Sequence, residues 1–381
     1  MAWTRLCAGR AVDADYRAGE GLETHVEPTS GNRRVGESAM RASIFQATGL
    51  PMTVADTPDP GILAGDLLIK VAYSGVCGTD LHMTQPGIET RLSPGAILGH
   101  EFAGEVAVVG GDVAGAWRVG DRVTVMPYRP CPACGALCRD GLDIICPNVA
   151  YLGIFRPGGN AQLVAVGAGQ ALKLPEAVDM RSGAMVEPLA VGYHAVRKAG
   201  SILGARVLVI GAGPVGLAVA LFARLAGAAS VVVSEPRAVA RSRAERLGAN
   251  ATIDPGAQEV GEAFADLTGG PPEVLFECVG VPGMIAESIR LAPLFGRVIV
   301  VGACMETDHL RPMAALTKEL TLTFVLGHTR GDFQFVIDTL AQGRIDPSPM
   351  VSAVVDLDAF PAAFESLRTE AGGCKLLLKP N

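Results

Sequence analysis

Three short segments far apart in the chain carry side chains that could build one metal site: Cys77-Gly-Thr79-Asp80-Leu-His82, Gly99-His100-Glu101 and Glu187-Pro188. A thiolate, an imidazole and a carboxylate are the mixed donors of catalytic zinc, which keeps three protein ligands and an open position for water or substrate. A structural site closes the metal off with four protein ligands. Cys131-x2-Cys134-x3-Cys138-x7-Cys146, in a Pro/Gly-rich stretch, offers such a set. A cysteine total of 9, an odd number, and no apolar leader in residues 1–40 argue against a disulfide framework. A structural zinc that stabilises an exposed loop is the expected role of this lobe.

A second constellation is Gly211-Ala-Gly213-Pro214-Val215-Gly216, which directly follows the apolar run 206–210 and opens a helical pattern. In that setting the first glycine permits a tight turn, the second lets backbone approach a pyrophosphate, and the third lets helix and strand pack closely. The helix N-terminus adds free N–H groups and a positive dipole end. Glu235 ends the next apolar run, about 20 residues beyond the loop, where a ribose-binding acid is expected. A carboxylate there accepts bonds from the ribose 2′-OH and repels a 2′-phosphate, so NAD is expected in preference to NADP. Arg237, Arg241 and Arg243 follow closely and are read as a solvated helix face shared with Glu245.

The elements that must position these residues fall into two textures. Residues 41 to about 190 read as short strands with Gly/Pro/Asp turns, including Phe102–Val109 and Asp121–Val125. From about 205, strands 206–210, 230–234, 273–277 and 297–301 alternate with helices such as 215–226 and 237–247, which implies a parallel sheet covered on both faces. The runs Ser352–Asp356 and Lys375–Lys379 could return to the β domain. The uncharged run 207–223 is broken by Gly211-Ala-Gly-Pro214 and reads as strand–turn–helix rather than a membrane span. Apolar residues make up 49% and charged residues 19%, ample for a core, and the net charge of −7 offers no basic face to nucleic acid or an acidic membrane. Residues 1–39 are polar and without clear period, read as a disordered extension or an unused upstream start, and structure is expected from Met40. The expected setting is the cytoplasm.

From Met40 to its end the chain resembles the zinc-dependent medium-chain dehydrogenase/reductases, closest to their polyol, butanediol and threonine dehydrogenase branch. The resemblance rests on Gly75–His82, Gly99–Glu105, Glu187–Val191, the cysteine lobe and the glycine loop, all in the family's order. It implies an α/β protein: a GroES-like, mostly β catalytic domain over 40–193 completed by 326–381, and a doubly wound Rossmann domain over 194–325. By the same resemblance Cys77 and His100 are zinc ligands, with Glu101, Glu187 or one of them through water completing the set. Asp80 would orient the His100 ring. Thr79 would accept the substrate proton and pass it toward His82 through the cofactor ribose, and backbone at Val301 and Gly302 would lie beside the nicotinamide. One departure is the cysteine lobe, whose middle gap holds one residue more than the family's usual spacing.

Taken alone, Thr79 and Asp80 suit a turn and His82 a partly exposed histidine; their order around Cys77 is what marks them. His25, His194, His309 and His328 read as structural, Cys278, Cys304 and Cys374 as apolar fillers, and Tyr151 and Phe155 as pocket candidates. The activity implied is reversible, NAD-linked oxidation of a secondary alcohol, diol or polyol to a ketone, with substrate oxygen in zinc's open position. An amino alcohol such as threonine, a cyclitol or an aryl alcohol is an alternative substrate, and a non-catalytic NAD- and zinc-binding scaffold an alternative role. A homodimer or homotetramer is the expected assembly.

Overall fold

Strand β1 (Ala39–Ile44) pairs antiparallel with β2 (Thr53–Pro58), close to where structure is expected to begin. The computed structural model describes residues 39–88, 90, 92–113, 115–129, 149–369 and 373–381. The extension 1–38 and the lobe carrying Cys131, Cys134, Cys138 and Cys146 lie outside the described residues.

The first large sheet is built around β3 (Asp66–Gly75), whose Leu67, Ile69 and Val71 alternate into the core with no exposed surface. Antiparallel to it run β4 (Glu101–Val109), which continues to β5 (Arg122–Val125), and β8 (Leu163–Gly167). The short pair β6 (Tyr128–Arg129) and β7 (Ala150–Tyr151) stands apart, and β9 (Ala171–Lys173) closes one edge. Across the β3–β4 ladder Gly75 faces Glu101. Helix α1 (Gly78–Met83) starts immediately beyond β3, capped when Asp80 Oδ2 accepts the Cys77 N–H at 2.9 Å.

The second sheet is parallel throughout. Its strands are β10 (Arg206–Ile210), β11 (Ser230–Ser234), β12 (Ala251–Ile253), β13 (Val274–Glu277), β14 (Arg297–Val300) and β15 (Thr321–Phe324), in the spatial order β12-β11-β10-β13-β14-β15. That order reverses at β10, the switch point where doubly wound sheets bind nucleotides. Val207 and Val209 join one core, with Leu189, Leu217 and Phe222 from α2 (Val186–Lys198) and α3 (Pro214–Leu225). Leu208 and Ile210 point the other way, against α5 (Val260–Thr268) and α6 (Met284–Leu291), with α4 (Ala238–Arg246) following β11. Both faces are covered, which is why the central strands β10, β11, β13 and β14 are apolar through their middles, with polar residues only at their ends.

The last strands leave this sheet. β17 (Lys375–Leu378) pairs parallel with β16 (Val351–Val355) and antiparallel with β3, Leu377 opposite Gly75. The 193/194 boundary expected between domains falls inside α2, so that helix belongs to both halves. Its Gly192 is packed so tightly on α3 that a Cβ there would lie 2.4 Å from Ala218 Cβ.

Helix α7 (Arg330–Ala341) begins with a reciprocal cap: Asp332 accepts from the Thr329 N–H at 2.7 Å, and Thr329 Oγ1 accepts from the Asp332 N–H at 3.2 Å. The same carboxylate takes His194 Nδ1 at 2.7 Å and Arg197 Nε at 2.9 Å from α2, so His194 is a structural staple, as its sequence setting suggests. Burial would raise the Asp332 carboxyl, but these donors outweigh it and hold it well below the usual range. Asp332→Asn is therefore expected to cost about 2–3 kcal/mol of stability at neutral pH. A depressed carboxyl stabilises above the unfolded-state pKa and loses that contribution as pH falls through the folded value. The gap between wild type and variant should thus narrow below about pH 4 in urea titrations at stepped pH.

Candidate active site

Cys77, at the junction of β3 and α1, and His100 and Glu101, at the start of β4, come together at the carboxyl end of β3. Their sulfur, nitrogen and oxygen atoms lie within 4.8 Å of one another, the one such cluster among the described residues. Two glycines make this possible. Gly99 sits at φ +97°, the left-handed region, and a Cβ there would meet Asn160 Oδ1 at 2.4 Å. A Cβ on Gly75 would lie 2.4 Å from Glu101 Oε2, so only glycine leaves room for that carboxylate.

His100 is buried, and its Nδ1 faces Asp80 Oδ1 at 3.4 Å, an ion-pair distance rather than an aligned hydrogen bond. Burial would lower the imidazole, but Asp80 and Cys77 outweigh it and hold the ring well above its ordinary range. Thr79 and His82 sit on α1 and are exposed; Thr79 Oγ1 is 3.6 Å from Cys77 Sγ, while His82 stands outside the cluster.

Glu187, at the start of α2, is not a member of the three-residue cluster. Its Oε1 lies 3.2 Å from His328 Nε2, and His328 Nδ1 lies 2.9 Å from the Tyr128 hydroxyl, which also donates to the His328 carbonyl. Burial would raise Glu187, but His328 and the charge of His100 bring it below its usual range. His328, read from sequence as structural, thus contacts a site residue directly. Tyr151 packs edge-on to His100 at 5.6 Å between ring centres, with Tyr128 at 6.1 Å behind it, whereas Phe155 is half exposed.

Lys375, the first residue of β17, is the least expected member. Its ammonium donates to both Glu101 oxygens at 2.8 and 2.7 Å and to the Val76 carbonyl at 2.9 Å, with side chains of both partners 1% exposed. Burial and Glu187 push the Glu101 carboxyl up, against the lowering pull of the Lys375 ammonium on both its oxygens. Lys375 is correspondingly held above its ordinary range: burial opposes this, and Glu101 and Cys77 overcome it.

The donor set suits zinc: one soft thiolate, one imidazole and one carboxylate, too few to close a tetrahedron. Lys375 occupies two of roughly four acceptor positions on Glu101 and leaves the others for a metal.

The glycine loop turns the chain from β10 into α3. Gly211 adopts φ +97°. Gly213 has open space where a Cβ would stand, as a pyrophosphate needs, and caps α3, with Pro214 in its first turn ahead of Val215. At Gly216 a Cβ would come 2.0 Å from the Gly211 carbonyl oxygen. Glu235, buried just past β11, accepts from the Ala212 N–H at 2.9 Å and from Arg237 Nε at 2.7 Å. Burial would raise it, but Arg237 and Ala212 lower it below the usual range. Arg237 is therefore paired with Glu235 rather than part of a solvated face. Arg241 donates to the Glu235 and Pro236 carbonyls at 2.8 and 2.6 Å, while Arg243 reaches Ser352 at 3.5 Å. Val301 and Gly302 follow β14, their N–H groups donating to the Glu277 carbonyl at 2.8 and 2.9 Å. They stand at the carboxyl ends of the strands, where such sheets bind ligands.

Comparison with known proteins agrees with this architecture. Residues 63–176 match the alcohol dehydrogenase GroES-like domain, and residues 214–342 match the zinc-binding dehydrogenase domain. A 2-dehydro-3-deoxy-L-galactonate 5-dehydrogenase of Pseudoalteromonas atlantica is 34% identical over 84% of this chain and 92% of its own. The sorbitol dehydrogenase of Gallus gallus is 32% identical over 88% of this chain and 95% of its own. Among solved structures, a zinc-binding dehydrogenase of Sinorhizobium meliloti 1021 bound to NADP is 35% identical, with a TM-score of 0.84 over 90% of this chain and 100% of that one. Both halves match in order, and so the chain belongs to the zinc-dependent medium-chain dehydrogenase family, a GroES-like domain joined to a Rossmann domain that uses zinc and NAD(P).

Proposed function

We propose that this enzyme oxidises a secondary alcohol of a polyol or sugar acid to a ketone, reversibly, with NAD in preference to NADP. The observation that carries the reading is the Cys77–His100–Glu101 cluster, set in the same chain as a glycine loop shaped for a pyrophosphate. The sorbitol and sugar-acid relatives support a polyhydroxylated substrate, and an L-threonine 3-dehydrogenase of Pyrococcus abyssi, also 32% identical, keeps an amino alcohol as the second reading. Retention of every donor counts against a non-catalytic scaffold.

Cys77, His100 and Glu101 would hold the catalytic zinc, His100 through Nε2 because Nδ1 faces Asp80. Zinc, when bound, supplies Lewis acidity that brings a hydroxyl's pKa toward neutrality. Asp80 orients the imidazole, and its contact to the Cys77 N–H ties both ligands to α1. Thr79 receives the substrate proton at Oγ1 and His82 hands it to solvent; both are exposed on the same short helix. The loop from Gly211 to Gly216 seats the pyrophosphate, Glu235 the ribose, and backbone at Val301 and Gly302 lines the nicotinamide. The four cysteines 131, 134, 138 and 146 would hold a second, structural zinc. The catalytic unit is taken as 40–193 with 326–381 and the cofactor unit as 194–325.

NADH formation on sorbitol, 2,3-butanediol, sugar acids, threonine and simple secondary alcohols tests the reading. Turnover only on threonine, or on no alcohol, would sink it. Glu235→Ala removes the acid and frees Arg237, so the NADP-to-NAD ratio of kcat/KM should rise at least tenfold, about 1.4 kcal/mol. An unchanged ratio would remove Glu235 from cofactor selection.

The protein is read as a cytoplasmic homo-oligomer. β15 is an edge strand, and Phe324, Leu326, Met313 and Leu316 beside it are all more than 60% exposed. A single-chain mass in light scattering would contradict self-association. No described helix is long and apolar enough to cross a membrane.

A further inference from the structure

Glu187 is a buried carboxylate beside an incomplete set of metal donors, and a fourth protein ligand would close a site that catalysis needs open. A buried histidine holds it back. His328 has no exposed side-chain surface, and its Nε2 stands 3.2 Å from Glu187 Oε1. The ring itself is fixed from three sides: the Tyr128 hydroxyl sits 2.9 Å from Nδ1, the Tyr128 ring stacks on it at 5.2 Å and 26°, and Phe333 packs at 4.6 Å. Tyr128 belongs to β6, His328 follows β15 and Glu187 opens α2, so the chain Tyr128–His328–Glu187 links three separate elements.

We propose that His328, held by Tyr128, is a positioning residue that latches Glu187 outside the zinc ligand set and so keeps the metal's fourth position open. The inference rests on the zinc-dehydrogenase reading above. Without the latch, the buried carboxylate loses the imidazole that hydrogen-bonds it, and a neighbouring divalent cation becomes its strongest partner. Glu187 then swings inward and the site closes with four protein ligands.

The test uses the zinc-loaded full chain as wild type, His328→Leu, His328→Gln and Tyr128→Phe. Zinc per chain, the rate of zinc release to a chelator, and kcat and KM separately are measured. In His328→Leu, zinc content is expected to stay at the wild-type level, release to slow and kcat to fall, each by at least about tenfold. His328→Gln keeps an N–H for Glu187 and should restore both, while Tyr128→Phe should shift both part of the way in the same direction. A merely supportive histidine would give the opposite sign, with zinc lost faster in His328→Leu. Faster or unchanged release there overturns the latch while leaving the function standing, provided the wild type binds zinc and reduces NAD. Should His328→Leu fail to fold, Tyr128→Phe decides alone: slowed release supports the latch, and unchanged or faster release overturns it. A wild type that binds no zinc overturns both.

Discussion

Lys375→Met is expected to destabilise the protein by about 3–5 kcal/mol, because it strands a buried carboxylate. Glu101 and Lys375 are each 1% exposed, and the ammonium supplies both Glu101 oxygens with a donor. Glu187 lies near enough to push the Glu101 carboxyl up, so removing the cation leaves like charges facing each other in a dry site. Methionine keeps the length of the lysine stem, so the loss comes from charge and not from a cavity. Urea unfolding of the metal-free protein measures it without interference from zinc. Removing both members should be far milder, since neither is then left unpaired. Lys375→Met with Glu101→Gln is accordingly expected to recover more than half of the lost stability. Equal losses in the single and double variants would show that Lys375 acts by packing alone.

Gly216→Ala is expected to weaken NAD binding by at least about thirtyfold, roughly 2 kcal/mol, while leaving zinc content at the wild-type level. The added methyl would lie 2.0 Å from the Gly211 carbonyl oxygen and 3.0 Å from its carbon. These are backbone atoms of the turn proposed to seat the pyrophosphate, held at φ +97°, so relief comes only by moving the turn or the helix. Moving the turn spoils the approach, and moving α3 disturbs its contact with Gly192 of α2. Fluorescence titration with NADH reads the effect directly. Unchanged affinity would mean that the loop is not where the pyrophosphate binds.

Local pattern made the cofactor half legible. The run 206–210, the glycine spacing and Glu235 are contiguous signals, and β10, α3 and β11 appear within a residue of the expected bounds. The metal half was legible only where a resemblance supplied the order of three distant segments. Spacing alone does not say that Gly75 faces Glu101 across a ladder. Lys375 escaped notice because a lysine opening a short apolar strand looks like a solvated strand end. Its burial depends on β17 returning to β3, a pairing across about 300 residues of chain. The contacts of His328 are hidden for a similar reason: nothing near it in sequence announces Glu187 or Tyr128 as neighbours. Arg237 departs from the expected solvated row because a turn, not the helix face, decides where it points.

The central claim is that Cys77, His100 and Glu101 hold the zinc on which alcohol oxidation depends. Zinc content and NAD-linked turnover, measured together on wild type and Cys77→Ser, test it most directly. The expected result is zinc at both sites and turnover on a polyol or sugar acid in wild type. The variant should lose one zinc and its activity together, with the remaining metal kept by the cysteine lobe. A Cys77→Ser protein that retains full zinc and full turnover would contradict the account.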